Sequence, residues 1–168
     1  NLELKRILTK NQNIIDSRKD WRHINKNCPD IKFTVDLKED PKVIDIHWQR
    51  VKDRVMKLFT HGTITKGHIN YDSDGGRVQI SGGKLLYCVD IYDYEFVDSY
   101  IQGEVSRCDF FGCNVFGSDT MDCNFYQSTD IISSKVKTSY VSDSCKLRDC
   151  YVYGKGILKG SMDGGIFR

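Results

Sequence analysis

Seven cysteines carry the most reactive side chains of this 168-residue sequence. They are Cys28, Cys88, Cys108, Cys113, Cys123, Cys145 and Cys150. No CxxC pair occurs, and intervals of five and ten residues recur among the last five cysteines, which favours a structural repeat over a zinc site. We therefore predict reduced thiols that fill a protein core, with metal binding by some of them as the alternative.

The four histidines occur singly, without the HExxH pattern or a spacing that suits zinc. Asp72, Asp74 and Gly75 match the start of a calcium-binding loop, but the later ligands and the closing glutamate are missing. The sequence contains no phosphate-binding loop, no GxGxxG turn after a strand and no GxSxG nucleophile motif. We therefore predict no metal, no cofactor and no catalytic residue.

Basic side chains are concentrated in the first part of the chain. Residues 1–70 hold fifteen Lys and Arg against nine Asp and Glu, whereas residues 71–168 hold ten against fourteen. The front includes a predicted helix that carries Arg50, Lys52, Arg54 and Lys57. These four residues form either an ordinary solvated face or a contact with nucleic acid or an acidic partner. No run of eighteen apolar residues and no signal-peptide pattern occurs, so we expect a soluble protein without membrane contact.

The elements that carry these residues change in type along the chain. Apolar and polar residues alternate over Ile31–Leu37, which predicts a half-buried strand. A first-turn proline, Pro41, begins a helix whose apolar residues recur at helical spacing up to Gly62. Glycine-containing tight turns at residues 72–76 and 82–83 then separate short strands.

A five-residue period governs the chain from Gly103 onwards. Each unit has a small residue, a spacer and a large apolar residue, as in Cys108-Asp-Phe110. Thirteen such units follow one another to Phe167, with one extra residue near 126–130 and another near 142–146. Neither a helix nor a flat strand repeats every five residues. The small and large residues of each unit must therefore point inward, and a corner must follow them.

These units resemble those of the pentapeptide-repeat family, most closely from Cys108 to Gln127. The resemblance implies a right-handed quadrilateral β-helix over about residues 87–168, with four units in each turn. The predicted fold class is then mainly β: a right-handed parallel β-helix built on a five-residue repeat, with a small α/β cap at its N-terminal end. We divide the chain into a basic N-terminal arm and helical cap, residues 1–70, and a β-hairpin region that leads into the β-helix, residues 71–168.

Four units per turn would place every fourth large residue in the same column of the core. One such column would contain Val105, Phe125, Leu147 and Phe167. Among the small residues, Cys123 would lie beside Cys145. The two extra residues are predicted bulges at corners, where a strand absorbs one residue without reversing its faces.

The residue after each large one must point outward, and in this sequence it is often apolar. These residues are Phe111, Phe116, Met121, Tyr126, Ile132 and Tyr153. A monomer does not normally leave so many large apolar side chains in water, so we predict a protein interface. Cover by the front of the chain is the alternative. The repeat also reaches Arg168 without a polar capping unit, which predicts that further chain or a partner covers the last coil.

The carboxylates of the repeat leave glycan cleavage as a possible enzymatic activity to consider. Glycan-cleaving enzymes on parallel β-helices need two carboxylates on one exposed face, and the repeat offers Asp109, Asp119, Asp122 and Asp130. Aspartate side chains also bond to the backbone in turns. Because these positions are spacers and corners, we favour the structural role and predict no enzymatic activity.

Together these features favour a non-enzymatic structural or assembly protein that uses a rigid β-helix to dock other protein subunits. The lack of alanine and the abundance of Asn, Lys and Ile are typical of AT-rich coding sequences such as those of tailed bacteriophages. We therefore predict a virion component, located in the virion or the host cytoplasm. The alternative is a nucleic-acid-related role, through DNA mimicry as in some pentapeptide-repeat proteins or through the basic N-terminal half.

Overall fold

The protein is a parallel β-solenoid of about six turns. The computed structural model describes residues 31–36, 54–72 and 77–168. Within them, one helix, α1, covers residues 54–60, and the other regular elements are strands. The strands are β1 (Ile31–Asp36), β2 (Thr63–Asp72), β3 (Arg77–Tyr92), β4 (Tyr94–Val97), β5 (Tyr100–Ser106), β6 (Asp109–Phe111), β7 (Asn114–Phe116), β8 (Asp119–Met121), β9 (Asn124–Tyr126), β10 (Asp130–Ile132), β11 (Lys135–Lys137), β12 (Tyr140–Val141), β13 (Lys146–Tyr153), β14 (Ile157–Leu158) and β15 (Ser161–Phe167). The predicted class, a mainly β parallel β-helix, is confirmed.

Each turn of the coil has three faces, not four. Phe110 pairs with Phe96 in the preceding turn and with Phe125 in the following turn. The other parallel rungs repeat this step, with 14 to 17 residues between paired positions. The quadrilateral arrangement and its twenty-residue turn are therefore wrong, because three five-residue units complete a turn.

The corners explain this difference. The residue just before the small residue of a unit commonly has a left-handed backbone, with φ of 50° at Arg107, 63° at Gly112 and 54° at Asp122. Such a residue turns the chain sharply between two strands. The five-residue spacing fixes the length of a face, whereas the backbone angles at the corner fix how many faces close a turn.

Large inward residues form one column on each face, and we name the faces A, B and C in chain order. Face A holds Ile80, Phe96, Phe110, Phe125, Val141 and Leu158. Face B holds Leu85, Ile101, Val115, Ile131, Leu147 and Met162. Face C holds Ile91, Val105, Thr120, Val136, Val152 and Phe167. The predicted inward positions are thus largely confirmed, but the four-residue column that began at Val105 is wrong.

In the last turn, the inward residue on face A is Leu158, which pairs with Val141. The five-residue spacing places Ile157, the large residue of the unit Lys155-Gly-Ile157, at this position, but Ile157 is 55% exposed. The corner between β13 and β14 is longer than the pattern assumed, and this shifts the register by one residue. Earlier in the coil, the two predicted extra residues do lie in corner turns, at residues 127–128 and 143–144, as expected.

Small residues line the corners and pair with the backbone of the neighbouring turn. The backbone N–H of Gly103 donates to Ser118 Oγ at 3.1 Å, and the N–H of Ser118 donates to Ser134 Oγ at 3.1 Å. At another corner, the N–H of Cys113 donates to Thr129 Oγ1 at 3.2 Å. A buried backbone donor without a partner is destabilising, so these hydroxyls stabilise each corner as well as filling it.

The six described cysteines are buried, and none of these six forms a disulfide bond. Their role as core fillers is confirmed. Cys123 lies one turn above Cys108, whose carbonyl accepts the N–H of Asn124 at 2.9 Å, so the predicted pairing of Cys123 with Cys145 is wrong. Burial raises the pKa of the Cys123 thiol to about 12, which keeps it protonated and unreactive at neutral pH.

The coil begins earlier than the repeat pattern indicates. Val78 in β3 already pairs with Tyr94, so the first turn starts near Arg77 and not near Tyr87. β2 and β3 form the predicted antiparallel hairpin, but the second predicted turn is a corner within β3, with φ of 60° at Gly82. The predicted strand at Ile31–Leu37 is present as β1, which pairs in parallel with β2; Leu37 lies outside the described residues.

The first turn is covered by β2 and α1. β2 pairs along faces A and B of this turn, and its Ile64 and Ile69 are buried. On α1, Val55 and Leu58 are buried in the same apolar cluster as the coil interior. The helix predicted from Pro41 is therefore seen in its last part, while residues 41–53 lie outside the described residues. The division of the chain at residue 70 stays a prediction.

Candidate docking surface

The six outward apolar residues predicted as an interface lie in three pairs, one pair on each face. Face A carries Phe111 and Tyr126, face B carries Phe116 and Ile132, and face C carries Met121 and Tyr153. The residues on faces A and B are on neighbouring turns, whereas Lys137 separates the pair on face C. The coil therefore does not gather the six residues into one patch.

Face A adds further apolar residues to its pair. The ring centroids of Phe111 and Tyr126 are 5.2 Å apart and nearly parallel. Tyr126 and Tyr140 follow at 5.6 Å. Val97 pairs with Phe111 at one end, and Ile157 pairs with Tyr140 at the other. These five residues, which we call the face A stripe, place one apolar side chain on each of five consecutive turns.

The stripe is rigid because its residues stand on paired strands, and it shifts sideways by two residue positions between Tyr126 and Tyr140, since Tyr140 pairs with Asn124. Neighbouring strands are about 4.8 Å apart, so five turns span about 20 Å. Its side chains are partly exposed, and Ile157 is the most open of them. Desolvation, followed by the charge of Asp109 and the neighbouring Tyr140, raises the pKa of Tyr126 above its ordinary value. Tyr126 therefore stays neutral, which suits an apolar contact.

Polar side chains beside the stripe are paired with each other. Gln79 Nε2 donates to Glu95 Oε1 at 2.9 Å, and Asn124 Nδ2 donates to Asp109 Oδ1 at 2.8 Å. These pairs follow the same strand registers as the aromatic residues. The polar column becomes apolar at Tyr140, so face A combines an apolar stripe with hydrogen-bonded polar residues beside its first three members, and protein interfaces commonly have such an apolar core and polar rim.

Two of the four basic helix residues, Arg54 and Lys57, lie on α1 and contact the first turn. Arg54 Nη2 donates to the carbonyl oxygen of Tyr92 at 3.1 Å. Lys57 Nζ donates to the Tyr92 hydroxyl at 2.9 Å and lies 4.1 Å from its ring centroid. Both side chains help to hold α1 on the coil. Arg50 and Lys52 lie outside the described residues, and contact of this set with nucleic acid or an acidic partner stays a prediction.

The carboxylates considered for glycan cleavage lie on three different faces and at one corner of the coil. Asp109 lies on face A, Asp119 on face C and Asp130 on face B, while Asp122 occupies a corner with φ of 54°. Within the described ranges, no three His, Cys, Asp or Glu side chains are close enough to hold a metal ion. The part of the chain that the structure describes also contains no helix long and apolar enough to span a membrane.

Sequence reasoning found Phe111 and Tyr126 but missed Val97, Tyr140 and Ile157. Tyr140 occupies a spacer position, which the repeat pattern treats as polar. The signal that could have found the stripe is the interval of 15 residues between Phe111 and Tyr126, which is one turn of a three-faced coil. No protein-family model, curated protein or solved structure matches this chain.

Proposed function

We propose that the protein is a non-enzymatic assembly element whose coil docks a second copy of the chain through the face A stripe. The observation that carries this proposal is the continuity of the stripe, with one apolar side chain on each of five turns. An apolar stripe on a rigid scaffold meets the same stripe of a second copy under a two-fold rotation, which is the commonest symmetry of homodimers. Aromatic side chains are also the residues that contribute most to such contacts.

The wider setting of this proposal is a virion component whose coil shares the five-residue unit, but not the four-unit turn, of pentapeptide-repeat proteins. Its support is the five-residue spacing of the units and the alanine-free composition. A repetitive rod with outward aromatic residues is suited to assembly, because its surface positions are fixed by the core and lose little conformational freedom on contact.

Light scattering coupled to gel filtration tests the docking proposal. We expect the wild-type chain to form a defined multimer and the double variant Phe111→Ser, Tyr126→Ser to be a folded monomer. Loss of two central aromatic contacts costs about 2 kcal/mol of association free energy each. The matched control, Met121→Ser with Tyr153→Ser on face C, removes similar apolar area and keeps the wild-type mass. A monomeric wild type, or equal dissociation of both variants, contradicts the proposal.

A further inference from the structure

Face B contains a groove of about 670 Å³ over the first three turns of the coil. This volume lies within the usual range for small-molecule sites, about 300–1,000 Å³. The groove is lined by two lysines, three aromatic rings, two amides and one carboxylate, whereas the face A stripe consists of apolar and aromatic residues. The groove shares no residue with the face A stripe. The groove and the face A stripe are therefore two separate surfaces.

The floor of the groove alternates rings and amides. Tyr100 pairs with Asn114 on the neighbouring turn, and strand alternation places Gln102 and Phe116 beside them on the same face. Each ring thus has an amide next to it along its strand and another across the neighbouring strand. Phe116 is 44% exposed, so its ring is open to contact. The amide of Gln102 is oriented by the backbone, because Gln102 Oε1 accepts the N–H of Tyr87 at 3.0 Å.

Two cations lie at one end of this floor. Lys84 precedes Tyr100 in the same column, with Lys84 Nζ at 5.9 Å from the Tyr100 ring centroid. Lys66 comes from β2, which brings it opposite Lys84 through antiparallel pairing. The walls are Tyr87, whose side chain is 73% exposed, and Asp98 at a corner. The groove is therefore positive at the first turn and polar with aromatic rings beyond it.

We propose that this groove binds an oligosaccharide that contains an acidic sugar. A pyranose ring has an apolar C–H face that packs on an aromatic ring, and an edge of hydroxyl groups. An amide offers a donor and an acceptor together, which matches two adjacent hydroxyls. The alternating floor supplies both kinds of contact over two turns, and Lys66 and Lys84 supply the charge for a carboxylate or a sulfate.

Other ligand classes fit the lining less well. A nucleic-acid strand carries a phosphate on every nucleotide and is usually bound in a groove that is basic along its whole length, with aromatic side chains for the bases. This groove has only two cations, and Asp98 opposes them on one wall. A hydrophobic peptide needs apolar walls, whereas here amides separate the rings. A hydroxyl-rich ligand with few negative charges fits this lining, because its hydroxyl groups bond to the amides and its charge needs only the two lysines.

Calorimetric titration of the full chain tests the proposal. The probes are tetrasaccharides of galacturonate, of α2,8-linked sialic acid and of chondroitin sulfate, with neutral cellotetraose and an eight-nucleotide oligothymidylate for comparison. We expect at least one acidic tetrasaccharide to bind. Tyr100→Ala and Phe116→Ala should each weaken that binding about tenfold, because each removes a stacking contact. Tyr151→Ala on face C is the matched control and leaves it unchanged.

A second variant keeps the test informative if an alanine variant is unstable. Lys84→Gln retains the shape of the groove and leaves Lys66 in place, so we expect it to reduce the preference for the acidic over the neutral tetrasaccharide. The melting temperature of each variant shows that the fold is intact. The proposal is overturned if no acidic tetrasaccharide binds at millimolar concentration, if oligothymidylate binds more tightly than all of them, or if Lys84→Gln and both alanine variants leave affinity unchanged. Binding should also persist in the Phe111→Ser, Tyr126→Ser variant.

Discussion

The first and last turns of the coil are built from the same kind of unit but differ in burial. In the first turn, the inward residues Ile80, Leu85 and Ile91 are completely buried. In the last turn, the equivalent Phe167 is 61% exposed and Met162 is only partly buried. β2 and α1 cover the first turn, whereas no strand among the described residues pairs beyond β14 and β15. An inward position is therefore buried by its neighbouring turns and not by its own unit.

The largest expected difference between these regions comes from phenylalanine truncation. Phe110 is enclosed between Phe96 and Phe125, so Phe110→Ala leaves a cavity that should lower the free energy of unfolding by about 3–5 kcal/mol. Phe167→Ala, in the exposed last turn, should change it by no more than about 0.5 kcal/mol. Urea unfolding followed by circular dichroism measures both. Equal effects would mean that the last turn is as well packed as the middle.

Weakening the packing of α1 on the first turn should make that turn as exposed to solvent as the last turn. Leu58 on α1 is fully buried, so Leu58→Ala should cost about 2–5 kcal/mol and expose the first turn. Hydrogen exchange should then show faster exchange of amides in β3, while those in β13 are unchanged. Thr60→Ala, at an exposed position of the same helix, is the matched control. Undiminished protection of β3 in Leu58→Ala would show that β2 alone covers this end.

High pH should destabilise the body of the coil and spare the last turn, in which Gly160 and Gly165 lie next to Cys145 and Cys150 of the preceding turn and add no thiol. Burial raises the pKa of Cys88 and Cys123 from 9.0 to about 12. Between these values the unfolded thiol loses its proton and the folded thiol keeps it, so stability is complete below pH 9 and falls as pH rises.

The expected loss is about 1.4 kcal/mol for each pH unit and each such thiol. Cys123→Ala should reduce the slope of unfolding free energy against pH by that amount above about pH 9.5, measured by urea titrations between about pH 9.5 and pH 10.5. Phe167→Ala, which removes no thiol, should keep the wild-type slope. An unchanged slope in Cys123→Ala would mean that this thiol ionises in the folded state as easily as in the unfolded one.

The sequence was sufficient for the repeat, for most inward residues and for the β-hairpin, because all of these depend on local spacing. The number of faces was not predictable in this way, since it depends on backbone angles at corners such as Arg107 and Asp122. Glycine or aspartate before many of the small residues indicates where the chain turns, but not by how much.

The two candidate surfaces were predictable to different degrees, because local spacing shows which residues point outward but not which of them meet on one face. Phe111 and Tyr126 could be recognised as outward from the period alone, but their stacking on one face required the correct number of units per turn. The face B groove could not be found, because Lys66 reaches Lys84 through the antiparallel pairing of β2 with β3. That contact lies outside the repeat and leaves no periodic signal.

The spacing between neighbouring turns, about 4.8 Å along the axis of the coil, is constant and determines how the length of the coil can change. Each turn contacts only the turns 14 to 17 residues away, so duplication of one three-unit segment would insert a complete turn and leave the others intact. The rod would grow by one strand spacing, about 4.8 Å, and each outward column would gain one residue. Its length can therefore change in fixed increments through tandem duplication, while the chemistry of every existing face is preserved.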